Sequence, residues 1–214
     1  MRRPILFAAA GVAAIAAVAA TAFWLERGPD PAMSFFVTSA NPGRGGDLGG
    51  LPGADAWCAT LAETAGVPVK RWAAYLSTSA VDARDRIGIG PWVNATGEAI
   101  AADVAALHAA GNHVARRTAL DETGGRINAR GEAPPLRHDI LTGSLPDGTR
   151  SPLTCSDWTS DDAGAAMVGH HDGADLDDKP SEKSWNSAHP SKGCSAAALR
   201  EGGGDGLFYC FAVK

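Results

Sequence analysis

The segment VGHHDGADLDD, residues 168–178, combines residue types that bind metal ions. It holds two adjacent histidines and several aspartates, in a chain that has only 6 histidines. In an extended strand His170 and His171 would point to opposite faces, whereas His170 and Asp172 would share one. Together with His189, these two residues would form a three-ligand zinc set. The alternative is a solvated polar loop that binds no metal.

The sequence shows no other arrangement that indicates an enzyme. It has no Gly-x-Ser-x-Gly elbow and no pair of carboxylates at a catalytic spacing. The glycine-rich residues 40–53 are not followed by Gly-Lys-Ser/Thr, so they do not match a phosphate-binding loop. We therefore expect a non-catalytic protein.

The first 25 residues are typical of an export signal. Arg2 and Arg3 precede an uncharged stretch from Pro4 to Leu25. Residues 20–22, Ala-Thr-Ala, form a small-x-small cleavage site, but residues 4–25 are also long enough to remain as an anchor in the inner membrane. In both cases we expect the rest of the chain to lie outside the cytoplasm, as a periplasmic or secreted protein.

The exported part of the chain is acidic. Residues 1–29 contain Arg2, Arg3, Arg27 and Glu26, which leaves 16 basic and 23 acidic residues of the 19 and 24 in the whole chain, a net charge of −7. An acidic protein is a poor partner for nucleic acid or polyanionic glycans, so we expect no nucleic-acid ligand.

The four cysteines predict two disulfides. Cys58, Cys155, Cys194 and Cys210 form an even set in an exported chain, and their spacing contains no C-x-x-C motif. A zinc ribbon or a thioredoxin-like redox site is therefore not expected. Three pairings are possible on this count alone.

The hydrophobic pattern predicts a mixture of helices and short strands, the α+β class. Residues 26–33 form a linker, and one domain follows over 34–214. We expect helices over 54–66 and 98–111. We expect strands over 34–39, 71–79, 138–144, 153–160, 164–171 and 206–214.

Two long segments of the domain carry a resemblance to a known family. FFVTSANPGRGGDLGGLPGADAWCATLAETAG, with RWAAYLSTSAVDARDRIGIGPWVNATGEAIA, resembles endostatin-like domains and bacterial lectin-like proteins. ILTGSLPDGTRSPLTCSDWTS and GLFYCFAVK continue the likeness, which covers nearly all of residues 34–214. The resemblance implies a C-type lectin-like fold: two helices, short antiparallel strands, long loops and two disulfides. It also implies the pairing Cys58–Cys210 and Cys155–Cys194.

The resemblance further implies a ligand-binding surface. Calcium-dependent lectins carry Glu-Pro-Asn or Gln-Pro-Asp and Trp-Asn-Asp motifs, where this chain has Leu145-Pro146-Asp147 and Trp185-Asn186-Ser187. Asp147 and Asn186 would supply calcium ligands, with the acidic residues of 172–178 nearby, although Leu145 and Ser187 lack the expected side-chain oxygens. Trp185 is a candidate for stacking on a sugar ring, and filling the core is its alternative role.

These observations predict an exported, non-catalytic domain that binds carbohydrate. The alternatives are a surface domain that binds protein and no sugar, and a zinc-dependent hydrolase. Calcium and zinc are the candidate cofactors, with Asp147 and Asn186 for calcium and His170, Asp172 and His189 for zinc.

Overall fold

The computed structural model describes residues 28–174 and 183–213, and it shows a mixed α+β chain. The predicted export segment, residues 1–25, therefore lies outside the described residues, as do Asp175, Asp177 and Asp178 of the acidic segment. No helix within the described ranges is long and apolar enough to cross a membrane. Part of the predicted linker packs on the domain, because the Asp30 backbone N–H donates to the Ala95 carbonyl and Met33 is fully buried.

The strands of the main sheet are short, except for the last one. They are β1 (Phe35–Val37), β2 (Trp72–Ala74), β5 (Asp139–Leu141), β6 (Met167–His170), β7 (His189–Pro190) and β8 (Gly204–Ala212). A separate pair is formed by β3 (Trp92–Val93) and β4 (Ala99–Ala101). The helices are α1 (Gly50–Thr64), α2 (Val104–His108) and α3 (Ala196–Gly202), and Ala83–Asp85 form a 3-10 turn.

The strand β8 lies at the centre of the six-stranded sheet. Its second half pairs antiparallel with β1 and β2, and its first half pairs in parallel with β5. The order is β1-β8-β5-β6-β7, with β2 also paired to β8. The expected antiparallel contact between the first and last strands is confirmed, with Phe36 opposite Cys210.

Alternation along β8 divides the core into two clusters. Phe208, Cys210 and Ala212 face α1, whereas Tyr209 and Phe211 face the opposite side of the sheet. This is the period-two pattern of a strand that is buried on both faces.

The helix α1 packs through one narrow face. Ala54, Cys58 and Ala62 recur every four residues and are buried, as a helix stripe requires. Gly66 follows the helix with a positive φ of 78°, the left-handed conformation expected after a helix C-terminus. The sequence prediction of this helix and of the inward position of Cys58 is confirmed.

Two disulfides join Cys58 to Cys210 and Cys155 to Cys194, the pairing that the resemblance implies. The first connects α1 to the central strand, across 152 residues of sequence. The second closes a loop of 39 residues that contains β6 and β7. Both bonds indicate an oxidising compartment.

Two sequence predictions of local structure are wrong. Residues 98–111 do not form one helix: residues 99–101 pair with β3, and the helix starts only at Val104. Asp103 caps it, accepting a hydrogen bond from the Ala106 backbone N–H at 2.7 Å. Pairing with β3 buries Ile100, and this tertiary contact overrides the helix propensity of the alanines.

The second wrong prediction concerns residues 153–160, which were expected to form a strand. Cys155–Trp158 instead form one turn in which all four residues have positive φ, from 48° to 67°. The turn is held by the Cys155 disulfide and by Trp158, whose indole N–H donates to the Ser77 carbonyl at 2.7 Å. Trp158 is fully buried, as expected of a core residue.

Candidate metal centre

The edge of the sheet formed by β5, β6 and β7 brings polar residues together. Asp139 lies directly opposite His170 in the antiparallel pair β5–β6, and His189 lies opposite Val168 in β6–β7. Cross-strand and diagonal neighbours on one face of a sheet are within reach of long side chains. Asp139, His170 and His189 therefore converge on one side of this edge.

An irregularity at the start of β5 adds His138 to the same group. Adjacent residues of a regular strand point to opposite faces, which would separate His138 from Asp139. Here His138 precedes the strand, which starts at Asp139, and the backbone N–H groups of both residues donate to the same Gly203 carbonyl, at 3.0 and 3.4 Å. This bulge-like pairing departs from the strand alternation and lets the two side chains lie together.

Glycines make room for the cluster. A Cβ on Gly203 would lie 3.3 Å from His138 Cδ2, and its φ of 111° favours glycine. A Cβ on Gly169 would lie 1.9 Å from the Trp185 carbonyl oxygen, so only glycine lets the chain that leads to His189 approach β6 this closely.

The Nε2 atoms of three histidines surround one carboxylate oxygen, Asp139 Oδ1. The distances from this oxygen are 2.9 Å to His138, 3.4 Å to His170 and 3.8 Å to His189. The Nε2 atoms of His170 and His189 are 3.0 Å apart. Donors about 2.0–2.2 Å from a tetrahedral zinc ion lie roughly 3.3–3.6 Å from one another. The ligand atoms of His138, Asp139 and His170 all lie within 4.8 Å of one another, and His189 adjoins this group through Asp139 and His170.

The second nitrogen of each ring contacts an oxygen that can only accept. His170 Nδ1 lies 2.9 Å from the Ala174 carbonyl, and His189 Nδ1 lies 2.9 Å from the Pro190 carbonyl. His138 Nδ1 lies 3.3 Å from Asp172 Oδ1. Each Nδ1 therefore carries its hydrogen and donates, and in the neutral ring the lone pair is on Nε2. Metal-binding histidines are oriented by partners of this kind.

Asp139 is nearly completely buried, yet its Oδ1 accepts no hydrogen bond. The contacts with His138 and His170, at 2.9 and 3.4 Å, are short without counting as hydrogen bonds, and His189 is farther away, at 3.8 Å. Burial raises the pKa of Asp139, but the neighbouring His138 and His170 outweigh burial and lower this pKa to about 2. The carboxylate is thus charged and directed at the Nε2 atoms of three histidines.

The remaining charged neighbours are Asp172 and Arg130. Asp172 also accepts hydrogen bonds from the backbone N–H groups of Arg130 and Ala174. Burial raises the pKa of Asp172, but the contact with His138 and these two hydrogen bonds outweigh burial and lower this pKa. Burial lowers the pKa of His138, but Asp139 and Asp172 outweigh this effect and raise it to about 9. Arg130 Nη2 lies 3.2 Å from His138 Nε2.

The structure revises the zinc set expected from the sequence. It brings His170 and His189 together, but Asp172 contacts His138 from behind instead of joining the ligand atoms. A group of three candidate ligands among the described residues comprises His138, Asp139 and His170. His171 is not part of this group; it is fully buried, and neither of its ring nitrogens has a hydrogen-bond partner. His138 and Asp139 are not among the site residues predicted from the sequence, although the dipeptide begins a predicted strand.

The candidate calcium ligands do not form a comparable cluster. The Asn186 amide donates to Tyr75 Oη and to the Leu145 and Pro146 carbonyls, and its Oδ1 accepts from Ser184. Asp147 accepts from Thr149 in its own turn. The oxygens of Asp147 and Asn186 that would bind calcium already accept hydrogen bonds from the protein. A calcium role for these two residues stays a prediction.

Trp185 lies in the core, the role that the sequence left as its alternative. It is only 6% exposed, and its ring packs on Tyr75, His108 and Tyr209 at centroid distances of 4.8, 5.8 and 5.2 Å. An open depression of about 460 Å³ lies next to its edge, lined by residues that include His108, Ala110, Pro146 and Ser184.

No known family model matches this chain, and a search of curated proteins finds no match. The proposed function therefore rests on the geometry of the cluster of His138, Asp139, His170 and His189.

Proposed function

We propose that this protein is an exported metal-binding domain with a C-type lectin-like fold, and that His138, Asp139, His170 and His189 bind one zinc-type divalent ion. The two disulfides, the central last strand and the α+β composition support the fold proposal. The metal proposal rests on one observation: three histidine Nε2 atoms surround Asp139 Oδ1, which has no hydrogen-bond partner.

A cation explains contacts that are otherwise unfavourable. His170 and His189 direct two Nε2 lone pairs at each other over 3.0 Å, since both Nδ1 atoms donate to carbonyls. Asp139 Oδ1 is charged and has no hydrogen-bond partner, and it lies 2.9 Å from His138 Nε2. One divalent ion between these four atoms would release the proton that the raised pKa of His138 retains and would replace these contacts with coordination bonds. Three imidazoles and one carboxylate suit zinc and neighbouring transition metals better than calcium, which prefers oxygen ligands.

The proposed ligand set resembles that of a structural metal site rather than that of a catalytic one. Four protein ligands complete a tetrahedral shell, which is typical of structural zinc sites, whereas catalytic sites keep one position open. This supports a binding function over the hydrolase alternative.

The test is metal analysis followed by titration. Purified protein should contain close to one equivalent of zinc, and after chelation it should bind one Zn²⁺ or Co²⁺, with the visible bands of a tetrahedral cobalt site. Asp139→Asn and His189→Gln should each weaken binding strongly. His113→Gln is the matched control, because His113 is exposed and its ring hydrogen-bonds to the Ala99 carbonyl, away from the cluster. A folded wild-type protein that binds neither ion would refute the proposal.

Carbohydrate binding is a second candidate, and the depression beside Trp185 favours it. The residues that line it include an imidazole, a hydroxyl and apolar surface. Ala110 is exposed at this depression, so Ala110→Trp should block it without disturbing the core. A glycan array should show binding that this variant abolishes and that chelator leaves unchanged. Equal binding by wild type and variant would exclude the depression as the site.

A further inference from the structure

Arg130 places a guanidinium at the border of the metal centre. Its backbone N–H donates to Asp172 Oδ2 at 2.8 Å, and its Nη2 donates toward His138 Nε2 at 3.2 Å. Its Nε is buried and has no hydrogen-bond partner. Within residues 28–174 and 183–213, no carboxylate forms an ion pair with this guanidinium, whereas the neighbouring Arg126 pairs with Glu132.

The position of Arg130 creates a charge problem once a metal ion is bound. The histidines would be neutral as ligands, so the charged groups would be the divalent ion, the guanidinium, Asp139 and Asp172. These charges sum to one positive charge. The side chains of His138, Asp139 and Asp172 in this region are almost fully buried. Two cations this close repel each other unless an anion lies between them.

We propose that the metal ion and Arg130 together bind an oxyanion, meaning a phosphate or carboxylate group. This inference rests on the proposed metal site. One oxygen of the anion would accept from the guanidinium, whose Nε still has a free hydrogen. Another oxygen would be attracted by the charge of the metal ion and would lie outside its four protein ligands. The side chain of His189 is 31% exposed, so the cluster reaches solvent on that side.

Arg130 and the metal ion should then couple metal binding to anion binding. In the absence of an anion, the guanidinium repels the metal ion and competes for the His138 lone pair. With the anion present, both cations are attracted to the same group. The two ligands must strengthen each other by the same factor, because coupling between binding sites is reciprocal.

The experiment uses Co²⁺-loaded full-length protein, with inorganic phosphate and acetate as probes. In the wild type, at least one of the anions should change the visible spectrum and lower the Co²⁺ dissociation constant about tenfold or more. Arg130→Gln should bind Co²⁺ at least as tightly as the wild type without anion, and neither anion should change its affinity. Arg126→Gln is the matched control and should respond like the wild type.

The outcomes separate this inference from the metal site itself. If the wild type binds no Co²⁺, both proposals fail. If it binds Co²⁺ but neither anion alters the spectrum or the affinity, the metal site stands and the oxyanion site is refuted. A full anion response in Arg130→Gln would also refute it. A response to phosphate alone or to acetate alone identifies the group and supports the proposal.

Discussion

Replacing His189 should weaken metal binding without destabilising the metal-free fold. This ligand lies on the two-residue edge strand β7, and its side chain is partly exposed, unlike those of His138, Asp139 and His170. His189→Gln therefore creates no large cavity. We expect the free energy of unfolding of the metal-free protein to change by no more than about 0.5 kcal/mol.

The stabilisation of the folded state by zinc should differ much more between the wild type and His189→Gln. A ligand present at about 100 times its dissociation constant stabilises the folded state by about 2.7 kcal/mol. In a domain of this size, that energy raises the melting temperature by about 5–10 °C. Loss of one of four ligands should weaken binding at least about 100-fold, beyond the effect of losing an outer-shell partner. At the same zinc concentration the variant would then gain only about 0.4 kcal/mol, or roughly 1 °C.

Thermal melting of chelated protein, with and without Zn²⁺, measures this difference. His113→Gln should melt like the wild type in both conditions. The reasoning would be refuted by equal zinc-induced shifts in wild type and His189→Gln, or by a wild type that gains nothing from zinc. A variant that is already unstable without metal would show that His189 acts through packing.

Three further predictions concern the fold. Replacing Cys58 and Cys210 by alanine should cost about 5 kcal/mol of unfolding free energy, and replacing Cys155 and Cys194 about 4, because the first bond closes the longer loop; urea melts should show this order. The Asn94-Ala95-Thr96 sequon should stay unglycosylated in a glycosylating host, since Asn94 is fully buried and its amide donates to the Thr118 carbonyl; Asn94→Ala should cost about 2–3 kcal/mol, and an intact-mass increase on Asn94 would contradict this. Burial lowers the pKa of His171 to about 4, so the unfolded chain binds more protons between about pH 4 and 6.5, and metal-free stability should fall by up to about 3 kcal/mol as the pH drops through this window. In urea melts at pH 4.5 and 6.5, His171→Leu should show the smaller pH dependence, and an unchanged dependence would contradict the assignment.

Parts of the fold that depend on local pattern could be predicted from the sequence. The apolar stripe of α1 and the glycine after it specify the helix and the inward position of Cys58. The apolar last strand was correctly placed next to the first, with the resemblance as a guide to the disulfides. The prediction of a helix over residues 98–103 is wrong because alanines favour a helix locally, whereas pairing with β3 is a long-range effect that no local pattern shows.

The candidate site could be predicted only in part, for a related reason. His170 and His189 were found because histidines near aspartates suggest a metal. His138 and Asp139 were missed because neighbouring strand residues should face opposite ways, and only the bulge against Gly203 brings them together. A bulge depends on the partner strand, and so it leaves no clear signal in the segment that contains it.

A buried ion pair is the strongest alternative to a metal ion at this site. A protonated His138 could donate to Asp172 from Nδ1 and approach Asp139 from Nε2, and its raised pKa agrees with such a state. This proton would leave the 3.0 Å contact between His170 and His189 unexplained, because both rings already use their Nδ1 hydrogens on carbonyls. A second proton would be needed between those two nitrogens, close to the first and in a largely buried cluster. One divalent ion accounts for all four atoms at once, and this is why zinc binding is the decisive measurement.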